Sequence, residues 1–250
     1  MNLRNIYTIP VSFLLGISLN ACSQDTTTIL QHQLGASIIS IKKSNFYSSA
    51  PIVFIQLHHN ETTAAEVAQQ FSDSLQLSFV QILNSEQRLI GFENTGQTYR
   101  FDPNRMFSKE GAAASLKLHS QYSDEALTAI DSFSKTILGL LRNQTVVAVH
   151  NNTDEEFTLN DYIDNETGLV HKNSSLDPDD FFITTDSTVY ERLKEKNFNV
   201  VWEWSDKLKD DGSLSIYCSR NNIRYVNVEA EHGHKTEQAA MLKALMEILK

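Results

Sequence analysis

Three short blocks of this sequence bring imidazoles and carboxylates together. They are His58-His59-Asn60-Glu61, His150-Asn151-Asn152 and Glu229-Ala230-Glu231-His232-Gly233-His234, and between them they hold five of the eight histidines. Neutral imidazole and carboxylate are ligands that a zinc ion takes, and a catalytic zinc keeps three protein ligands with the fourth position open to water. His58, Glu61 and His150 would supply such a set. A metal held this way acidifies bound water and polarises a carbonyl. A lone histidine after a strand is usually a hydrogen-bonded turn residue. Here, however, each block directly follows an apolar run. A fourth block, Phe101-Asp102-Pro103-Asn104-Arg105-Met106-Phe107, adds a guanidinium, the group that clamps a carboxylate at two points. Metal, base and clamp together imply hydrolysis beside a carboxylate.

These residues need a frame. Residues 51–57 (PIVFIQL) and 145–149 (TVVAV) read as strands buried on both faces, as do residues 180–184 and 200–204 and residues 223–228 (IRYVNV). Shorter strands are expected at 78–83, 89–92, 98–101 and 214–218. Helical spacing appears from Ala64 to Leu75, from Asp124 to Leu140, over 187–196 behind a Ser187 cap, and over 236–249. Alternating strands and helices predict a three-layer α/β sandwich, a mainly parallel or mixed central sheet flanked by helices. In such sheets ligands bind outside the carboxyl ends of the strands, where the histidine blocks fall.

The acidic balance, −10 from 21 Lys+Arg against 31 Asp+Glu, argues against a nucleic-acid partner held through phosphates. Phosphate-cradling glycine loops are missing too. At the amino terminus, Arg4 precedes a mostly apolar stretch over residues 6–19 and then Leu19-Asn20-Ala21-Cys22, the layout of an export signal. The stretch is too short for the roughly 20 residues of a spanning helix. Residues 1–21 are therefore expected to be a signal peptide, 22–36 a lipidated Cys22 with its tether, and 37–250 a single metallohydrolase-like domain. Leu-Asn-Ala-Cys resembles a bacterial lipoprotein cleavage box, and Ser23 after the cysteine points to the periplasmic face of the outer membrane. In the alternative, a plain secretory signal leaves Cys22 to pair with Cys218. Cys218 otherwise reads as a buried, inert thiol in an apolar strand.

The blocks also resemble a known family in order. His58-His59-Asn60-Glu61 is similar to a His-Gly-Asn-Glu zinc motif, and Asp102-Pro103-Asn104-Arg105-Met106-Phe107 to Asp-x-Asn-Arg-x-Phe. Both motifs belong to the succinylglutamate desuccinylase and aspartoacylase branch of the zinc carboxypeptidase superfamily. Val149-His150-Asn151-Asn152-Thr153 resembles its third ligand segment, and Glu229 before a final helix matches its general base. The resemblance implies that His58, Glu61 and His150 bind zinc, that Asn104 and Arg105 hold a substrate carboxylate or carbonyl oxygen, and that Glu229 relays a proton from water to the leaving nitrogen. Glu231, two positions on, is the rival base. His59 and Pro103 depart from the motifs, and His59 would add bulk near the metal. His232-Gly233-His234 could extend the site or be a turn, and the acidic stretch 154–164 reads as a solvated face. The expected substrate is a small peptide or N-acyl amino acid, with membrane contact through the lipid and no protein partner required. A catalytically inactive metal- or peptide-binding lipoprotein is the alternative from another class.

Overall fold

The computed structural model describes residues 27–45, 50–141, 144–153, 157–163, 168–204 and 208–250. The expected signal peptide, Cys22 and residues 23–26 of the expected tether lie outside the described residues. Eleven strands are present among these residues: β1 (Thr28–Leu34), β2 (Ser37–Ser44), β3 (Ile52–Gln56), β4 (Ser78–Leu83), β5 (Ile90–Asn94), β6 (Gln97–Phe101), β7 (Thr145–Asn152), β8 (Gly168–His171), β9 (Phe181–Thr184), β10 (Val200–Glu203) and β11 (Tyr225–Glu231). Nine form one sheet in the order β1-β2-β4-β3-β7-β11-β9-β10-β8, while β5 and β6 make a separate hairpin. The four central strands β4, β3, β7 and β11 run parallel, and antiparallel pairs lie to either side. The sheet is therefore mixed.

Six α-helices cover it: α1 (Thr62–Leu75), α2 (Lys109–His119), α3 (Asp124–Leu140), α4 (Ser187–Glu195), α5 (Leu214–Arg220) and α6 (Lys235–Leu249). The period-two alternation of a strand decides which layer each side chain joins. On β7, Val146 and Ala148 pack towards α2, α3 and α5, and Val147 and Val149 towards α1, α4 and α6. Both faces are dry. That is why the central strands read as unbroken apolar runs, and each fully buried Val, Ile or Leu contributes about 1.5–3 kcal/mol.

Strands β2 and β8 and helix α2 have no counterpart in the sequence expectation, and three further elements differ from it. Residues 28–34, assigned to the tether, form edge strand β1, paired with β2 from Thr28↔Lys43 to Leu34↔Ser37. Only Leu34 is buried along it, so its alternating polar face reads as linker. His32 still packs on Phe133 of α3, with ring centroids 5.1 Å apart. Residues 214–218, expected as a strand, open helix α5. Ser213 caps it by accepting from the Ile216 amide, and Leu214 and Cys218 reach the core one turn apart. A four-residue apolar spacing fits a helix as well as a short strand, and the cap decides it. Helix α4 is capped by Asp186, which accepts from Thr188 and Val189, rather than by Ser187.

Candidate metal and catalytic site

The chain leaves β3 through a tight loop. Gln56 donates to the carbonyl oxygens of His58 (2.8 Å) and Glu61 (3.1 Å), and is itself held by Gln81 of β4 at 2.9 Å. This pinning turns His58 and Glu61 towards each other, with His58 Nδ1 2.8 Å from Glu61 Oε1. From the end of neighbouring β7, His150 brings its Nδ1 to 2.9 Å from Glu61 Oε2 and 3.3 Å from His58 Nδ1. All three residues are buried, at 1–3% exposure. Ligands arranged tetrahedrally at 2.0–2.1 Å around an ion lie about 3.3 Å apart, so these separations suit one.

Two further observations fit a metal. Glu61 Oε2 is buried without a hydrogen bond, touching His150 only outside hydrogen-bonding geometry. His58 Nε2, on the far side of its ring, lies 2.7 Å from Asp102 Oδ1. Burial would raise the Asp102 carboxyl, but the hydrogen bond with His58 and the charges of His58 and Arg88 hold it well below the usual carboxylate range. An ionised carboxylate only accepts, so Nε2 carries a proton, and once a metal displaces the proton on Nδ1 that atom would turn its lone pair towards the cluster. Burial alone would depress His58, yet Glu61 and Asp102 lift it to about 9. Glu61 is likewise held far below its ordinary value despite burial, by His58 and His150. The cluster thus concentrates negative charge where a cation or protons must balance it.

Glu229 sits on β11 in direct register with His150 on β7, which puts both side chains on one face of the sheet. Buried there, it is pushed up to about 7; His150 counteracts, Glu61 adds to the rise, and a 3.0 Å hydrogen bond from Asn227 counteracts. Glu231 stands apart: it lies beyond the cavity, partly exposed, 3.2 Å from His234, with its amide donating to Asp180. Asn104 and Arg105 belong to a single 3-10 turn, Pro103–Arg105, capped by Asp102. Pro103 occupies the first turn, where no amide donor is needed. Asn104 Oδ1 accepts from the Leu214 amide at 3.0 Å, and the half-exposed Arg105 reaches Asp211 at 3.3 Å. His58, Glu61, His150, Asn104, Arg105 and Glu229 all line one cavity of about 860 Å³.

His59 turns away from it. Its Nδ1 accepts from the amides of Asn84 (2.7 Å) and Glu86 (3.0 Å), so it fixes the turn after β4 and leaves the metal cluster uncrowded. His232-Gly233-His234 links β11 to α6, with Gly233 at φ 99° donating to Thr63, and it does not enter the cavity. Cys218 is buried in α5, its thiol pushed up to about 12 by burial. Within the acidic stretch, Thr158 and Asp161 form a capping box for the turn Leu159–Tyr162; residues 154–156 and 164 lie outside the described residues.

Sequence reasoning missed several residues of the site. Asp102 stood in a quoted motif without a role. Arg88, 2.9 Å from Glu61 Oε1 and 3.6 Å from Asp102 Oδ2, comes from an irregular loop with no pattern around it. Asn227 and Glu203 hide in apolar strands, although each falls at the alternating position that faces the cavity.

The fold and the site define an α/β sandwich with a buried two-histidine, one-glutamate cluster that could hold a metal ion at the carboxyl ends of its parallel strands. No protein-family model and no curated protein matches the chain. Among solved structures, it is similar to a succinylglutamate desuccinylase from Chromobacterium violaceum, at 14% identity and TM-score 0.47 over 91% of this chain and 70% of that one. An aspartoacylase family protein from Mesorhizobium loti gives 15% and 0.46 over 90% and 66%. A murein-tripeptide amidase from Escherichia coli O157 gives 13% and 0.43 over 81% and 82%.

Proposed function

We propose that this chain is a zinc-dependent hydrolase that cleaves an amide or peptide bond next to a substrate carboxylate. The reading is carried by one observation: His58, Glu61 and His150 converge in the same cavity that receives Glu229 and Arg105. A zinc ion held by those three residues would make water nucleophilic near neutral pH and polarise the scissile carbonyl. Arg105, already facing one carboxylate in Asp211, would pair with that of the substrate, and the Asn104 amide would donate beside it. Glu229 accepts a proton from the attacking water. As the C–O bond forms and the C–N bond breaks, it delivers that proton to the departing nitrogen. Burial raises this carboxyl above its ordinary value, which suits a group that must both take up and give back a proton. Asp102 keeps His58 in the tautomer that leaves Nδ1 free.

The export-signal layout and Cys22 support the reading that this activity sits on a lipid anchor at the periplasmic face of the outer membrane, where small peptides with free carboxylates are at hand. Labelling with a radioactive fatty acid, lost in Cys22→Ala, tests the anchor. For the chemistry, the purified protein is assayed for zinc content and for amine release from N-acyl amino acids and short peptides, with and without chelator. Chelator-sensitive release that vanishes in Glu229→Gln is the expected result. Ligand binding without turnover of any substrate would move the chain to the inactive binding class.

A further inference from the structure

The cavity continues well past the reacting groups. Glu229, Asn227 and Tyr225 follow one another on the same face of β11, so this wall runs about 13 Å at roughly 3.3 Å per residue. Across β9, the deep end is closed by Glu203 at the end of β10, with Tyr162, Ser213 and Ser215 beside it. Glu203 is 6% exposed. Hydroxyls of Ser215 and Tyr162 hydrogen-bond its carboxyl group, yet its Oε2 is buried without any partner. Asn227 is in the same condition: its amide nitrogen is committed to Glu229, and its Oδ1 has no donor. Two acceptors in one wall of the pocket thus wait for a donor. A buried acceptor left unpaired is unfavourable, and more so when it is charged.

Asp211 adds to the negative character around Glu203, while Arg105 is engaged with Asp211 and with the Asn104 carbonyl, and Lys209, also on the cavity wall, is exposed. A substrate carboxylate reaching this end would be repelled, and an aliphatic one would leave both acceptors unsatisfied. An ammonium or guanidinium would satisfy them. We propose that Glu203 is the specificity residue of the pocket, pairing with the cationic end of a long basic side chain on the residue whose own carboxylate meets Arg105. An extended lysine spans about 6 Å from Cα to Nζ, which the 13 Å wall accommodates together with the scissile bond. The substrate class is then an N-acyl or peptidyl derivative of a basic amino acid. This inference rests on the hydrolase reading, which it deepens.

The test compares two substrates that differ only at the tip, N-acetyl-lysine and N-acetyl-norleucine, on the zinc-loaded wild type and on Glu203→Gln. Binding of free lysine and free norleucine to zinc-loaded Glu229→Gln, and to Glu229→Gln/Glu203→Gln, is followed by calorimetry. The wild type is expected to favour the lysyl substrate in kcat/KM by about 30-fold or more, and Glu203→Gln to bring that ratio within threefold of one. Calorimetry is expected to show lysine binding, lost with Glu203. Turnover of both substrates at equal rates, or a preference that survives Glu203→Gln, overturns the inference and leaves the hydrolase reading standing. Lysine binding that depends on Glu203, with no turnover of either substrate, upholds the cation subsite and removes the hydrolase. Absence of both turnover and binding removes both. The comparison of lysine with norleucine on the wild type needs no variant to fold.

Discussion

Glu203 should make this protein less stable than it would otherwise be at neutral pH, and the size of the effect follows from its surroundings. Burial first, then the charge of Asp211, lift its carboxyl from 4.5 to about 7, against the hydrogen bonds from Ser215 and Tyr162 and the charge of Arg105. Between those two values the folded chain binds a proton that the unfolded chain has released, so stability falls as pH rises through that window. At about 1.4 kcal/mol per pH unit, the loss approaches about 3 kcal/mol and is complete above pH 7. Glu203→Gln keeps the shape and the acceptor for both hydroxyls but removes the titration. Its stability relative to wild type should therefore be near zero or slightly negative at pH 4.5, rise through pH 6, and reach a gain of about 2 kcal/mol at pH 8, allowing about 1 kcal/mol for weaker hydrogen bonds. Urea unfolding of both proteins at several pH values, in saturating zinc, measures the difference. Glu229 is present in both proteins, so its contribution cancels. Parallel stability profiles from pH 4.5 to 8 would refute the reasoning, because they would mean that water or a counter-charge already satisfies the Glu203 carboxylate.

Other outcomes can be stated more briefly. Glu229→Gln should lower kcat by about 10²–10⁴-fold while the zinc content by mass spectrometry stays at that of wild type. His58→Ala, Glu61→Ala or His150→Ala should each abolish stoichiometric zinc and remove the thermal stabilisation by added metal, about 2.7 kcal/mol at a hundred times Kd in the wild type. Arg105→Ala should raise KM for substrates with a free carboxylate by at least tenfold and leave their amidated counterparts little changed, as steady-state kinetics would show. Gly111→Ala should destabilise the fold by about 2 kcal/mol or more in urea melts, because a methyl there would strike the backbone of Asp211 and Gly212 and push Asp211 and Ser213 out of the pocket wall.

Much of the frame was legible because burial leaves a mark on composition. Strands covered on both faces must be apolar throughout, so β3, β7 and β11 announced themselves as runs, and their ends marked where histidines and Glu229 would fall. The edge strand β1 and helix α2 left weaker marks. β1 shows water most of its length, and α2, capped by Ser108, buries only Gly111, Ala112, Ser115 and Leu116. Small or polar residues of that kind carry little hydrophobic signal.

For the site, residue type and position after a strand were enough to nominate His58, Glu61, His150 and the Arg105 guanidinium, since metal and carboxylate chemistry restrict the side chains that can do it, whereas the roles of Asn104 and Glu229 came from the motif resemblance. Only the tertiary structure shows that Glu229 and Glu231 have different surroundings. Both lie on one strand two residues apart, and the difference is that the first faces His150 across the sheet while the second has passed beyond the cavity to meet His234. The same holds for the partners drawn from afar. Asp102 behind His58, Arg88 beside Glu61 and Glu203 at the bottom of the pocket are 44, 27 and 26 residues from His58, Glu61 and Glu229 in sequence. Their placement around one site depends on the order in which the strands pair, a long-range property no local spacing encodes.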